Sequence, residues 1–374
     1  MKIVIAPDSF KESMSAKEAA CAILNAIHKY DSHIETCLCP LADGGEGTLE
    51  TLIYAMKGKI EHYCVKGPLF QNIEAPIGYV GSLAIIECAK VCGLELLSES
   101  QKDPYQTTTY GLGQLILYAV DHGASKIMIC LGGSATNDGG IGMLSALGIR
   151  FQNSLHQDVT LTMKGLKDIS VIDETHLDER LKNIEIVGVC DVDNPLCGDL
   201  GASAIYGPQK GLKKEDIMTI DNDMAHYAML ADQLHKCAYK DFKGAGAAGG
   251  LGYALIAFLH AKLQPGFDVV SEALDLENKI VDSDYVIVGE GKIDKQTQYG
   301  KTPYGVLKIA KKYHKKVYAF AGCVEDLDIL KELGFSNVYA ISPKDMELSV
   351  ALLKGKENLE NCVFQHMKVI VDGI

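Results

Sequence analysis

The stretch Lys126-Ile127-Met128-Ile129-Cys130-Leu131-Gly132-Gly133-Ser134-Ala135-Thr136-Asn137-Asp138-Gly139-Gly140-Ile141-Gly142 decides how the chain is read. Its first five residues form an apolar run that suits a buried strand. The run empties into glycines, and Ile141 to Leu147 then take helical spacing, so the unit is strand, small-residue loop, helix. Glycines permit positive φ and close approach of a bound group, while the first N–H groups of a helix attract anions. A tight strand-to-helix connection needs small residues too. Ser134, Thr136, Asn137 and Asp138, packed among the glycines, add hydroxyl, amide and carboxylate groups at one point. They make Gly132, Gly133 and the residues to Asp138 a candidate phosphate loop.

Outward from this unit, the same grammar repeats. Lys2 to Ala6 reads as a strand ending in Pro7-Asp8-Ser9-Phe10-Lys11-Glu12-Ser13, followed by a helix from Ser15 to about Tyr30 with Glu18 placed for a capping box. Ile34 to Cys39 is a second strand, ending in Pro40-Leu41-Ala42-Asp43-Gly44-Gly45-Glu46-Gly47 before another helix. Two strand–loop–helix units open a parallel, doubly wound sheet. The pattern then changes. Ile60 to Lys66 and Ile73 to Val80 read as antiparallel strands, with another strand at Leu83 to Glu87 and a helix over Tyr110 to His122. Arg150 to Asn153 and a poorly patterned region to Leu181 follow. Ile184 to Cys190 is a strand that empties into Asp191-Val192-Asp193-Asn194-Pro195-Leu196, and helices lie through Met224 to Leu234 and Leu251 to Ala261. From Asp284 the alternation returns, with strands at Tyr285 to Val288, Val317 to Ala321 and Val338 to Ile341. The expected organisation is one doubly wound, flavodoxin- or Rossmann-like α/β domain made of residues 1–59 and 284–374. A second α/β domain with a mixed sheet, 60–283, is inserted into it.

Composition bounds the function. The 374 residues are 47% apolar, enough for real cores, and no segment has the uninterrupted ~20 apolar residues of a membrane span. The first residues, running straight into Lys2-Ile3-Val4-Ile5-Ala6, lack the charged lead, long apolar region and small-residue cleavage site of a signal peptide, so none is expected. Twelve cysteines without a Cys-x-x-Cys pair read as free thiols of a cytoplasmic protein rather than a zinc site. A net charge of −13 disfavours nucleic acid and anionic membranes, so an anionic substrate must be met by local lysines or backbone N–H groups. Oligomeric state is left open.

In a doubly wound sheet the loops after the strands gather at one edge, where ligands bind. That rule brings together Asp8, Ser9 and Lys11; Asp43 and Glu46; and Glu290, Lys292 and Asp294 from Gly289-Glu290-Gly291-Lys292-Ile293-Asp294. Any one loop acid is usually just solvated. Acids at three strand ends, two of them beside glycine, suit Mg²⁺. Asp191, Asp193 and Asn194 with the central glycine loop form a second set, and the two sets are expected to face each other across a cleft that closes on a metal nucleotide and a small acceptor. Gly244-Ala245-Gly246-Ala247-Ala248-Gly249 fits a dinucleotide fingerprint but lacks a preceding strand, so it reads as a flexible loop capping the helix at Leu251, with phosphate contact as the alternative. Gly300-Lys301-Thr302 ends like a P-loop, yet position 295 is Lys where that motif needs Gly; Lys301 remains a phosphate candidate.

The stretches at 2–13, 43–47, 131–142, 190–196 and 289–294 together resemble the bacterial glycerate kinase family in its two-domain form, from residue 1 to near the C-terminus; Met14 departs from an expected Leu. The resemblance implies ATP- and Mg²⁺-dependent phosphorylation of glycerate, with 2-phosphoglycerate favoured over 3-phosphoglycerate. A kinase for a related small hydroxy acid and a non-catalytic sugar-acid or nucleotide sensor are the alternatives. Placement of the residues then suggests roles. Glu290, Asp294 and Asp43 hold Mg²⁺; Asp191, Asp8 and Lys11 are catalytic; Ser9, Lys11 and Asn194 bind glycerate. Gly44, Gly45, Lys301 and the loop from Gly132 through Ser134, Thr136, Asn137 and Asp138 bind the nucleotide phosphates.

Overall fold

Short runs rich in β-branched and other apolar residues build most of the thirteen strands in the computed structural model, which describes residues 1–372 apart from Gly300 and Lys344. Gly300, and with it the start of the Gly-Lys-Thr reading, lies outside the described residues. The strands are β1 Lys2–Pro7, β2 Glu35–Leu38, β3 Lys59–Lys66, β4 Asn72–Val80, β5 Leu83–Glu87, β6 Lys126–Cys130, β7 Arg150–Gln152, β8 Val171–Asp173, β9 Glu185–Val189, β10 Lys262–Gln264, β11 Tyr285–Ile293, β12 Lys316–Val324 and β13 Asn337–Ala340.

The chain divides into two compact units. The first comprises residues 1–43, 50–57 and those from Phe267 on; the second comprises 44–49 and 58–266. Residues 267–283, expected in the inserted domain, group with the first unit, where the helix Leu276–Val281 packs on the helix Thr302–Lys312, and residues 44–49 and 58–59, expected in the first domain, group with the second unit.

The first unit holds a parallel sheet in the order β13-β12-β11-β1-β2. Ile3, Ile5, Ile287 and Phe320 bury one face of it against the helices Ala16–Tyr30 and Gly355–Asp372. Val4, Val286 and Val288 alternate to the other face, as a period of two requires, and are equally buried. The capping box is present: Ser15 Oγ accepts from Glu18 N–H, and the Glu18 carboxylate accepts from Ser15 N–H. One expectation changes here. β11 does not stop at Val288; it stays paired with β12 through Ile293, so Glu290 and Lys292 stand on a strand instead of in the loop after it. The parallel ladder overrides the loop signal of Gly289 and Gly291, since neither needs positive φ.

The second unit holds a six-stranded mixed sheet, β10-β9-β6-β5-β4-β3, parallel from β5 to β10 and antiparallel from β3 to β5. The poorly patterned region contains β8, which pairs antiparallel with β7. At three residues each, β7, β8 and β10 are too short to show periodicity. The helix Ala247–Leu259 begins inside the glycine-rich decoy, where Ala248, Gly249 and Gly250 take positive φ. A Cβ on Gly249 would lie 2.0 Å from the Thr136 carbonyl oxygen, so this glycine run packs backbone to backbone on the central loop. No described helix is long and apolar enough to cross a membrane.

Candidate active site

In the first unit, Asp8, Ser9, Lys11, Asp43, Glu290, Gly291, Lys292, Lys301 and Thr302 line one cavity of about 310 Å³, at the small end of ligand pockets. Strand ends explain the convergence. β1 delivers Asp8, the segment after β2 delivers Asp43, β11 delivers Glu290, and the helix Thr302–Lys312 begins at the same edge. Asp8 N–H donates to the Gly289 carbonyl, and the loop after it closes through Phe10 N–H on the Met14 carbonyl. A Cβ on Gly289 would sit 3.0 Å from the Phe10 ring, so the glycine lets this loop lie directly on β11.

Two of the carboxylates here are held above their ordinary pKa range by burial. Asp8 is half-buried as a residue, but its oxygens are engaged by Ser9 N–H at 2.6 Å and the Thr302 hydroxyl at 2.6 Å. Burial of the head, with the charge of Asp43 nearby, outweighs those donors and raises its pKa from 3.8 to about 6. Glu290 is 8% exposed and 3.2 Å from Lys301 Nζ. Burial, reinforced by Asp8, lifts it from 4.5 to about 7 although Lys301 and Thr297 oppose the shift. Two acids that titrate near neutrality beside a cavity are the pattern of a functional site.

Donor chemistry here suits Mg²⁺. Asp43 and Glu290 offer hard oxygens to one cavity, whereas among the described residues no three His, Cys, Asp or Glu side chains could close on a metal. Mg²⁺ commonly takes only one or two carboxylates, keeping water and substrate phosphate for the rest. Asp294 does not line the cavity: it is 7% exposed, its N–H donates to Thr297 Oγ1, and its carboxylate lies 3.5 Å from Lys292.

The second unit assembles the glycine motifs. A Cβ on Gly132 would lie 3.0 Å from Gly45 Cα, so the loops 44–47 and 131–142 meet backbone to backbone. Gly132 and Gly133 are exposed, but Gly44 and Ser134 to Gly140 are buried. The buried half is a frame. Asp138 accepts from Thr109 N–H and Oγ1, from Gly140 N–H and, at 3.4 Å, from Gly142 N–H. The chain's own carboxylate thus fills the anion position at the start of the helix Ile141–Ala146 that the sequence offered to a phosphate. Burial raises the Asp138 pKa despite these donors. Asn137 is fully buried, with its amide donating to Ser203 Oγ at 3.0 Å.

Lys210 was not legible as part of this frame. It is 2% exposed and donates to Ser134 Oγ and the Thr136 carbonyl, and burial pulls its pKa down to about 8. Thr302, offered by the sequence only as the end of a P-loop-like run, donates its hydroxyl to Asp8 instead. Asn194 has both amide ends occupied, donating to the Leu200 carbonyl and accepting from Tyr206 OH. Asp191 is exposed and accepts from Gly266 N–H at 2.7 Å, at the first residue of the helix Gly266–Ala273.

Comparison with known proteins identifies the family. The family model described as the glycerate kinase family matches residues 3–371. Glycerate 2-kinase of Escherichia coli K12 is 45% identical over 91% of this chain and 90% of its own length. Glycerate kinase of Halalkalibacterium halodurans is 42% identical over 96% and 95%. The crystal structure of a protein provisionally named glycerate kinase 2, from Salmonella typhimurium LT2, superposes with a TM-score of 0.91 at 43% identity, covering 100% of this chain and 99% of that one. With the match running nearly end to end, this chain belongs to the glycerate kinase family.

Proposed function

We propose that the protein transfers the γ-phosphoryl group of ATP to the 2-hydroxyl of glycerate. The observation that carries this reading is the near full-length match to glycerate kinases, among them a glycerate 2-kinase, in a chain whose first unit has a small cavity lined by carboxylates and lysines. Phosphoryl transfer asks the protein for positioning, charge neutralisation and a proton acceptor beside the attacking hydroxyl. Lys11 meets the glycerate carboxylate, with Ser9 as a hydrogen-bonding neighbour. Asp8, with a pKa of about 6 and one oxygen fixed by Thr302, takes the hydroxyl proton. Lys301 faces phosphate charge. Asp43 and Glu290 would hold Mg²⁺, which neutralises the transferring phosphates when bound. The exposed backbone of Gly132 and Gly133 offers donors to nucleotide phosphate.

A ³¹P spectrum of the product from D-glycerate and ATP tests the reading. A phosphate coupled to the C2 proton is expected. Coupling to the C3 methylene would move the reaction to the 3-hydroxyl. ATP consumption with tartronate or hydroxypyruvate but not glycerate would establish the related-acid alternative, and binding without turnover would establish a sensor.

A further inference from the structure

Two thiols near the acid pocket have no part in the proposed chemistry. Cys37 lies on β2, and Cys39 follows one residue beyond its end; their sulfurs are 3.8 Å apart, with Cys37 half-buried and Cys39 fully buried. Positions i and i+2 of an extended segment share a face, which is why both sulfurs point the same way. Lys279 and Lys2 add positive charge near Cys37, and Glu35 opposes them; Lys279 stands by Cys39 as well.

We propose that Cys37 and Cys39 form a peroxide-sensitive dithiol whose oxidation displaces the strand ends carrying Asp8 and Asp43. The Cys37 thiolate attacks the terminal oxygen of a hydroperoxide, the O–O bond breaks, Cys37 becomes a sulfenic acid, and the departing oxygen takes a proton from solvent to leave as water or alcohol. Cys39 then attacks the Cys37 sulfur, its proton goes to the leaving hydroxyl, and water departs as the S–S bond forms. The two sulfurs together lose two electrons to the peroxide. Position favours this order. The Cys39 S–H hydrogen bond and neighbouring Lys279 push the Cys37 thiol down, whereas that same bond and burial push Cys39 up. The nucleophile is therefore the more accessible sulfur.

The mechanical consequence follows from lengths. Two residues of extended chain span roughly 6.6 Å, near the upper limit of Cα separations that a disulfide bridges, whereas its usual span is ~1 Å shorter. Closing the bridge contracts the chain between residues 37 and 39. Cys39 N–H donates to the Ile5 carbonyl at 2.8 Å and Leu41 N–H to the Pro7 carbonyl at 2.8 Å, so the contraction pulls directly on the end of β1. Asp8 is the next residue after Pro7, and Asp43 lies two beyond Leu41.

The loss of activity rests on the proposed pocket; the disulfide itself does not. The test treats the full-length protein with hydrogen peroxide, maps the peptide spanning 37–39 by mass spectrometry, and measures glycerate kinase activity before and after dithiothreitol. A loss of two hydrogens from that peptide, with at least a tenfold fall in kcat/KM that dithiothreitol restores, is expected. Cys37→Ser should keep the untreated rate and resist peroxide, although the exposed Cys64, Cys237 and Cys323 remain. Oxidation of those three with residues 37–39 still reduced would overturn the proposal. So would a mapped 37–39 disulfide that leaves kcat/KM unchanged. Should untreated protein not phosphorylate glycerate, amide exchange at Cys39 and Leu41 replaces activity as the readout. Faster exchange after peroxide supports the displacement, and unchanged exchange refutes it.

Discussion

The acid pocket of the first unit and the glycine loop of the second both stand at the ends of parallel strands, and both contain buried carboxylates whose pKa values burial raises. They differ in what closes around the charge. Asp138 is enclosed by donors from its own chain, two of them on Thr109. Asp8 and Glu290 line a cavity of about 310 Å³ and share it with lysines and Asp43. The loop is therefore a closed scaffold with only Gly132 and Gly133 showing, whereas the pocket keeps its acids on a cavity wall that a ligand can reach. Removing an acid should harm chemistry in one place and folding in the other.

Asp8→Asn breaks the pocket at its centre. The amide still accepts from Thr302 but takes no proton, so kcat should fall by roughly 10²–10⁴, the usual share of a general base, in a protein that melts no lower than the parent. A rate within threefold of the parent would remove Asp8 from the proton transfer. Asp138→Ala tests the other side of the comparison. It strands the Thr109 and Gly140 donors in the interior, and unsatisfied buried groups cost about 1–3 kcal/mol each. Denaturant titration should show a loss of about 3 kcal/mol or more; less than 1 kcal/mol would mean the loop does not depend on its brace.

Smaller effects sharpen the contrast. Lys301 lowers the Glu290 pKa, so Lys301→Met should raise it further and move the acidic limb of kcat/KM to higher pH by about one unit. An unmoved limb would mean that Glu290 does not govern it. Asp191→Ala removes an acceptor from Gly266 N–H, which as a helix cap is worth ~1 kcal/mol. Stability should drop by about that amount while kcat stays close to the parental value. A hundredfold fall in kcat with unchanged melting would return Asp191 to the catalytic role its sequence position first suggested.

The sequence showed where acids and glycines would gather, because parallel strands followed by polar loops present those loops on one edge. Asp8 and Asp43 are in one cavity for that reason, and Glu290 joins them from within β11 itself. It did not show which similar residues would be excluded. Glu290 and Asp294 look alike in Gly-Glu-Gly-Lys-Ile-Asp, but the extended pairing of β11 carries Glu290 to the cavity lining and not Asp294. Nor did local pattern reveal the loop's frame, whose bonds are long-range: Lys210 reaches Ser134 across 76 positions and Thr109 reaches Asp138 across 29. A three-threonine run at 107–109, fully buried, was the one available hint.

The comparison is tested most directly by measuring folding stability against pH for the parent and Asp8→Asn without ligands. The folded pKa of Asp8, about 6, lies above its ordinary 3.8, so its favourable contribution is complete below about pH 4 and is lost as pH rises through 6. The parent should lose stability relative to the variant between pH 4 and pH 8, by roughly 1–3 kcal/mol at 1.36 kcal/mol per pKa unit, and Mg²⁺ should narrow the gap at pH 8. Parallel curves, or a parent that gains on the variant as pH rises, would contradict an Asp8 held above its ordinary pKa by burial in the first unit.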